Sequence, residues 1–424
     1  MKYELEILDN GVTKFWYYDV LTNTFYDENQ KELLTEYDVL KENYQDIIPY
    51  TEEKTEYKYS KDFGLLEITL GLKCNFNCFY CSQRTVRDKV HSSSPKDVKP
   101  FIKLLKDTGI KPERIQLWGG EPLVYWKVIK ELVPALKALY PNAHISFPTN
   151  GSLLTRDKID FIKQYNLSFW ISHDGCNNEG REVDGHQDIL KDSVVVDAIE
   201  YAKDVLPKNA IAFKSTFTHN NTDARKIIRF FKNKFSNKIA VSTGNVVCCH
   251  DANNELSVKS SMLTDEDKQT LIDSVYDVLN DNCSNRDDLT LYSAFDRTRM
   301  GFIRKIPITK LGCNCGGPIE NGSLIIDMLG NIQVCHNFPI KSSPRNIADN
   351  LCDQYKLGYT HPFNRETNCK DCLVVHSCSG GCPGLSNKEH ILACPNLFAM
   401  NYGIFKAAFS SVFGKYLVNY RKIV

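Results

Sequence analysis

The sequence lacks the features that direct a chain to a membrane or to nucleic acid. Its 424 residues include 52 basic and 52 acidic side chains, so there is no net charge to attract nucleic acid or an anionic membrane. The N-terminus, MKYELEILDNG, has no apolar run of the kind found in signal peptides. No segment reaches the length of a membrane span, about 20 apolar residues. We therefore expect a cytoplasmic globular protein of two or three domains, with no nucleic-acid or membrane partner.

Cysteine, by contrast, is plentiful. There are 16, and clustered cysteines in a cytoplasmic chain more often bind metal or do redox chemistry than form disulfides. The stretch LKCNFNCFYCSQR holds three of them, Cys74, Cys78 and Cys81. Eight more lie close together further on, and they are Cys313, Cys315, Cys335, Cys369, Cys372, Cys378, Cys382 and Cys394. The other five follow no ligand spacing, and they are Cys176, Cys248, Cys249, Cys283 and Cys352.

A strand–helix rhythm begins near residue 61. Runs rich in β-branched and aromatic residues predict six strands, at 65–70, 114–118, 144–149, 168–173, 211–217 and 239–244. Helical patterns fill the gaps between them. Six β–α units in succession predict an α/β fold, a parallel sheet curling into a partial (β/α)6 barrel over residues 61–250. A complete eight-unit barrel would not fit before the later cysteines.

The flanking segments follow other patterns. Residues 1–60 predict a small α+β unit, with strands in KYELEIL and TKFWYYDV around the turn DNG and a helix in LLTEYDVLKENY. Residues 251–310 predict a helical linker, with helices near 264–282 and 287–306. Residues 311–400 form a cysteine-rich domain, and the apolar, aromatic residues of 401–424 predict a C-terminal helix.

The first cysteine group points to an iron–sulfur cluster. Its loop follows the first barrel strand, so it lies at the C-terminal face where barrel enzymes keep their sites. Three thiolates are one short of the four that saturate a cluster, which leaves one iron open to a ligand's amino and carboxylate groups. Zinc usually takes two CxxC pairs or Cys and His together, and buried apolar cysteine is the third alternative. Spacing and barrel position favour the cluster.

The spacing CxxxCxΦC, with Tyr80 as the aromatic residue, resembles the motif of the radical S-adenosylmethionine superfamily. Trp118-Gly119-Gly120-Glu121-Pro122 looks like the family's GGEP loop, Thr149-Asn150-Gly151 its TNG and Ser172-x-Asp174-Gly175 its SxDG. The resemblance implies a [4Fe-4S] cluster on the three cysteines. It also implies that S-adenosylmethionine is bound by Tyr80, Gly119, Gly120, Glu121, Asn150, Ser172 and Arg181.

Four of those positions carry specific expectations. The two glycines would let backbone approach the ligand closely, and Glu121 would supply charge for the methionyl ammonium. Alone, GGEP would also suit an ordinary strand-to-helix turn. Arg181 would bind the carboxylate, although the family arginine usually lies a few residues further on.

The later cysteines resemble the SPASM domain, which carries auxiliary iron–sulfur clusters in enzymes that modify peptides and proteins. A zinc ribbon would account only for the CxxC pair. By the family pattern, one auxiliary cluster would use Cys335, Cys382 and one or both of Cys313 and Cys315. The outer one would use Cys369, Cys372, Cys378 and Cys394. The resemblance covers residues 62 to about 400 and leaves residues 1–60 outside.

One departure from the family bears on the substrate. Sulfatase-maturing members carry an aspartate directly after the cysteine of GxxxxC, where it accepts a proton, and this chain has His336. A histidine can also accept a proton, because its pKa lies near neutrality. A histidine beside a cluster can instead hydrogen-bond a sulfur. His336 is therefore a candidate catalytic base with a structural alternative.

The resemblance implies a peptide maturase. A 5′-deoxyadenosyl radical would take hydrogen from a peptide, and oxidation would form a C–C or thioether crosslink. The partners would be a precursor peptide with a leader and a reductant such as flavodoxin or ferredoxin. The alternatives are formylglycine formation on a sulfatase, and an iron–sulfur electron carrier or scaffold, which would not need the GGEP and SxDG elements. Residues 1–60 would dock a leader or cap the barrel.

The remaining candidate residues can also be explained by ordinary packing or loop structure. Cys248-Cys249-His250 ends the sixth strand, but adjacent cysteines do not easily bind one metal, and packing is favoured. Cys176 follows Asp174-Gly175, where it would border the site or be an ordinary loop residue. Residues 15–18 are all aromatic and alternate between two faces of a strand, so one face would be core and the other a docking surface.

Overall fold

The computed structural model describes residues 2–35, 61–87, 91–181, 188–235, 239–281, 288–306, 322–333, 335, 345–348, 369–382 and 384–423. Its principal strands are β1 (Lys2–Asp9), β2 (Val12–Asp19), β3 (Thr24–Tyr26), β4 (Leu65–Thr69), β5 (Arg114–Trp118), β6 (His144–Thr149), β7 (Ser168–Ser172), β8 (Ile211–Phe217), β9 (Ala240–Val246), β10 (Ser323–Asp327), β11 (Asn331–Ile332), β12 (Arg345–Asn346) and β13 (Tyr416–Lys422). Its α-helices are α1 (Val98–Thr108), α2 (Trp126–Leu139), α3 (Arg156–Gln164), α4 (Ser193–Val205), α5 (Ala224–Phe235), α6 (Glu255–Ser261), α7 (Asp265–Asn280), α8 (Leu289–Ile303), α9 (Val375–Cys378) and α10 (Asn387–Phe413). A further pair of two-residue strands, Asp62–Phe63 and Lys111–Pro112, lies beside the main sheet.

The main sheet contains the six predicted strands. Within the described residues its order is β9-β8-β7-β6-β5-β4-β10-β11-β12, and β4 to β9 pair with one another in parallel. The predicted α/β class and the parallel sheet are therefore confirmed. The sequence did not predict β10, which pairs in parallel with the free side of β4. All five residues of β10 are buried, so its sequence shows no alternation by which a strand is recognised.

The two faces of the parallel sheet differ in burial. On β8, for example, Phe213 and Phe217 are fully buried, and the Phe213 ring stacks on Phe231 of α5 at 4.2 Å between centroids. The alternate side chains of β5, β7 and β8 point the other way and are only half-buried. We call this second face the open face, and it is formed by Gln116, Trp118, Trp170, Ser172, Lys214 and Thr216. Helices α1 to α5 connect successive strands, as expected for a parallel sheet.

The predicted C-terminal helix over residues 401–424 is wrong in its bounds. Helix α10 already begins at Asn387, after a capping box from Ser386, and it ends at Phe413. Gly414 follows in the left-handed conformation, with φ of 63°, which is the usual way to end a helix. The residues beyond it form β13, which pairs antiparallel with β1.

The N-terminal strands and β13 form one sheet, in the order β13-β1-β2-β3. Its inner face packs on α10, with the Trp16 ring 5.9 Å from that of Phe409. Tyr18 is fully buried, whereas Phe15 is 46% exposed. The two predicted strands and the alternation of the aromatic run are thus confirmed. The helix predicted in LLTEYDVLKENY lies mostly outside the described residues.

Between the barrel and the later cysteines the chain is helical, as predicted. Helices α7 and α8 match the two expected there, and α6 is an addition. In the part of the chain that the structure describes, no helix is both long enough and apolar enough to cross a membrane.

Candidate active site

The first three cysteines lie in the loop that follows β4. Cys78 is 9% exposed, and Cys74 and Cys81 are half-buried. The backbone amide of Phe76 donates to Cys74 Sγ at 3.3 Å. Burial raises the pKa of Cys74 to about 11, so without a bound cation this thiol stays protonated near neutral pH. All three are free of disulfides.

The donor chemistry of this loop suits an iron–sulfur cluster. Among the described residues, no three His, Cys, Asp or Glu side chains converge on a point where one metal ion would be held. The thiolates of an iron–sulfur cluster need not converge on one point, because each of them binds a different iron. The three cysteines of the loop suit a cluster with one open iron.

The GGEP loop lies directly against the chain leading into the cysteine loop. The Gly120 amide donates to the Gly71 carbonyl at 3.0 Å, and the Glu121 amide donates to the Lys73 carbonyl at 2.9 Å. A Cβ on Gly119 would stand 2.7 Å from the Gly71 oxygen, and one on Gly120 would stand 2.6 Å from the Lys73 oxygen. Only glycine allows this close backbone approach.

The Glu121 carboxylate is engaged with the protein itself. It accepts hydrogen bonds from the Leu123 amide at 2.9 Å, the Thr149 hydroxyl at 2.8 Å and the Asn150 amide at 2.6 Å, and its side chain is 1% exposed. Burial raises its pKa to about 7, although these three donors act in the opposite direction. The carboxylate therefore ties the GGEP loop to the TNG loop. This positioning role is one that the sequence did not predict.

The TNG loop in turn contacts the cysteine loop. Asn150 Nδ2 donates to Asn75 Oδ1 at 2.9 Å, and Asn150 Oδ1 accepts from the Ser152 amide at 3.0 Å. Asn75 lies directly after Cys74. The three motifs that follow β4, β5 and β6 thus meet at the C-terminal ends of neighbouring strands, as parallel pairing requires.

The SxDG strand end joins the same site through Asp174. Its carboxylate accepts hydrogen bonds from the Tyr80 hydroxyl at 2.5 Å, from Arg181 Nη2 at 3.1 Å and from the Thr216 amide at 3.0 Å. Arg181 Nε lies 3.1 Å from the other carboxylate oxygen. The Arg181 guanidinium also lies over the Tyr80 ring, 5.4 Å from its centroid. Asp174 therefore holds β7, β8 and the cysteine loop together.

Arg181 is consequently not a free cation. It is 8% exposed, and Asp174 is 1% exposed. Burial acts to lower the pKa of Arg181, but Asp174, Tyr80 and Cys78 outweigh it and hold the pKa above its usual range. The sequence predicted Arg181 as a carboxylate-binding residue, and the structure places it in a buried ion pair beside Cys78. Asp174 was visible in the SxDG motif, but nothing in the sequence indicated its partners.

The other two candidates lie at the edge of the site. Ser172 ends β7 on the open face, in register with Lys214 of β8. Cys176 is exposed, and its Sγ lies 3.8 Å from Asn221 Oδ1. Cys249 is 1% exposed, as its predicted packing role requires.

Four of the later cysteines lie close together. Cys369, Cys372, Cys378 and Cys394 are close enough to influence one another electrostatically. Burial raises the pKa of Cys372 to about 11, with Cys394 and Cys369 contributing. These are the four residues that the family pattern assigns to the outer auxiliary cluster. Cys382 lies near Cys248, Cys335 is described, and Cys313, Cys315 and His336 lie outside the described residues.

Residues 68–231 match the family model of the radical SAM superfamily. The chain contains a radical SAM domain. Over 349 residues it is 23% identical to the radical SAM cyclopropyl synthase TigE of Paramaledivibacter caminithermalis, a match that covers 77% of this chain and 69% of that protein. It is also 29% identical to the GTP 3′,8-cyclase of Clostridium perfringens, but only over 26% of this chain and 34% of that enzyme.

Solved structures of radical SAM maturases share the fold. The structure of anSMEcpe with bound AdoMet matches with a TM-score of 0.57 and 17% identity, over 82% of this chain and 97% of that one. Streptococcus suis SuiB bound to its precursor peptide SuiA matches with a TM-score of 0.50 and 17% identity, over 76% of this chain and 72% of that one. The α/β sheet of this chain thus follows the fold of those structures.

Proposed function

We propose that this radical SAM enzyme modifies a ribosomally made peptide by oxidation, forming a C–C or thioether crosslink. The observation that carries the proposal is the meeting of the CxxxCxxC, GGEP, TNG and SxDG elements at one edge of the sheet, together with a second, separate group of four cysteines. The names of the relatives support it. TigE is a cyclopropyl synthase, SuiB is seen with a precursor peptide, and anSMEcpe is seen with the Cp18Cys peptide.

The chain's own residues have distinct roles in this proposal. Cys74, Cys78 and Cys81 hold a [4Fe-4S] cluster. The loops of Gly119, Gly120, Asn150 and Ser172 border the space for S-adenosylmethionine, and Glu121, Tyr80 and Arg181 keep those loops in place. When bound, the cluster and S-adenosylmethionine supply a 5′-deoxyadenosyl radical that removes hydrogen from carbon. Half-burial of the cysteine loop limits the access of water.

The later cysteines complete the proposal. Cys369, Cys372, Cys378 and Cys394 hold one auxiliary cluster, and Cys335 and Cys382 contribute to another with Cys313 or Cys315. Making a crosslink removes two hydrogen atoms from the peptide, so the enzyme must also take up an electron and a proton. The auxiliary clusters suit the electron, and His336 suits the proton. A flavodoxin or ferredoxin would supply the reducing electron.

The test uses the reconstituted enzyme with candidate peptides. Short open reading frames next to the gene supply the precursor candidates, and a sulfatase-derived peptide represents the formylglycine alternative. We expect about twelve iron atoms per chain from three four-iron clusters. We also expect a precursor peptide to lose the mass of two hydrogens, with formation of deoxyadenosine. Modification of the sulfatase peptide alone would favour the alternative, and iron without deoxyadenosine would indicate an electron carrier.

A further inference from the structure

The open face of the sheet carries a lysine beside the candidate active site. Lys214 lies in the middle of β8, between Phe213 and Ser215, which are both fully buried on the helix side. Alternation along the strand therefore directs Lys214 to the open face, where it is half-buried. Its register neighbour on β7 is Ser172. The ammonium lies 5.6 Å from the centroid of the Trp170 ring.

The charge of this lysine is not compensated within the described residues. Burial lowers the pKa of Lys214, and no carboxylate acts on it in the other direction. The acidic groups of the same face are already engaged. Glu67 accepts from Gln116 at 3.4 Å, Asp327 accepts from the Leu329 and Asn331 amides, and Asp174 is paired with Arg181. An ammonium held out of water without a counter-charge is costly, which makes this position receptive to an anion.

Lys214 is distant from the cysteine loop, although its neighbour Ser172 borders the space proposed for S-adenosylmethionine. The cysteine loop follows β4, and β8 lies four strands away, roughly 19 Å along the sheet at the usual strand spacing. Directly beyond Lys214 the pairing of β8 with β9 shifts register, with Lys214 opposite Ser242 and Thr216 opposite Asn245. Such bulges turn side chains near binding sites. Trp118 and Trp170, 6.3 Å apart, supply an apolar wall on the same face.

We propose that Lys214 binds the carboxylate of an Asp or Glu side chain in the peptide substrate, so that the enzyme selects peptides with an acidic residue near the modified carbon. This assignment rests on the proposed function and adds the substrate class to it. A carboxylate would complete the charge of Lys214 by a charge-assisted hydrogen bond. The aliphatic part of the same peptide segment would lie against Trp118 and Trp170.

The test compares variants of the reconstituted holoenzyme. Lys214→Met removes the charge and keeps the length of the side chain, and Lys214→Arg keeps the charge. Lys158→Met is the matched control, because Lys158 also lies 5.6 Å from a tryptophan ring, that of Trp126, but on the helices outside the barrel. Each protein is immobilised with S-adenosylmethionine under anaerobic conditions and selected against a random peptide library. Binding of S-adenosylmethionine and deoxyadenosine formation without peptide are measured in parallel.

We expect acidic residues to be enriched in the peptides bound by the wild type, by Lys214→Arg and by Lys158→Met, and to lose that enrichment with Lys214→Met. Individual acidic peptides should bind Lys214→Met about tenfold more weakly or worse, the scale of one hydrogen bond to a charged group. Equal acidic content in the wild-type and Lys214→Met pools would overturn the assignment. A tenfold loss of S-adenosylmethionine affinity in Lys214→Met would overturn it as well, because the carboxylate would then be the cofactor's. Deoxyadenosine formation by the wild type reports on the proposed function independently.

Discussion

The Asp174–Arg181 pair gives the sharpest prediction about what holds the candidate site together. Asp174→Asn changes the charge of the residue but hardly its shape. The variant leaves the buried Arg181 guanidinium without a counter-charge. It also replaces one carboxylate oxygen by an amide NH2, which in either orientation faces an Arg181 nitrogen that can only donate. Breaking a buried ion pair in this way costs about 3–5 kcal/mol. We therefore expect the free energy of unfolding of the barrel to fall by that amount.

The control is an exposed pair of the same two residue types. Arg156 donates to both oxygens of Asp197 at 2.6 Å, with side chains 59% and 49% exposed. Because water already solvates both groups, Asp197→Asn should cost about 0.2–1 kcal/mol. Urea unfolding of the two variants, followed by the fluorescence of Trp118 and Trp170 in the sheet, measures the difference. If Asp174→Asn cost no more than Asp197→Asn, the buried carboxylate would not have the organising role described above.

Two further predictions concern other parts of the chain. Burial raises the pKa of Glu121 from 4.5 to about 7, so its contribution to stability is complete below about pH 4.5 and is lost as the pH rises through about 7. Glu121→Gln should remove that part of the pH dependence of the free energy of unfolding, measured by urea titration. An unchanged pH profile would show that another group titrates. Trp16→Ala should lower the free energy of unfolding by about 3–5 kcal/mol, because its ring packs on Phe409 and Phe413. Phe15→Ala, on the exposed face, should leave stability nearly unchanged. A loss of peptide affinity in Phe15→Ala alone would support leader docking on that face.

The barrel and its motifs could be predicted because their information is local. Each of the six strands is a short run of β-branched and aromatic residues bounded by a helical pattern, and the cysteine spacing lies within eight residues. β10 could not be predicted in the same way, because its five buried residues show no alternation. The C-terminal stretch was predicted as one helix, because its apolar residues suit a helix or a strand. In the structure Gly414 ends α10, and the residues after it form β13, which pairs with β1.

The electrostatic organisation of the site depends on distant partners. Glu121 is bonded by Thr149 and Asn150, 28 and 29 residues away in sequence. Asp174 is bonded by Tyr80, 94 residues away. A single sequence contains no record of such pairings. The sequence therefore suggested that Glu121 and Arg181 bind the cofactor, whereas in the structure both side chains are already bonded to other residues of the protein. Lys214 is the converse case, because only the two faces of the sheet show that no described carboxylate compensates its charge.

We propose that Cys74, Cys78 and Cys81 hold the cluster on which the enzyme's chemistry depends. The most direct measurement is 5′-deoxyadenosine formation from S-adenosylmethionine by anaerobically reconstituted, dithionite-reduced protein, with iron counted in the same samples. The wild type and the exposed-cysteine control Cys176→Ala should form deoxyadenosine. The triple variant in which Cys74, Cys78 and Cys81 are all alanine should form none and should hold about four iron atoms fewer. Deoxyadenosine formation by the triple variant at the wild-type rate would show that these cysteines do not hold the cluster.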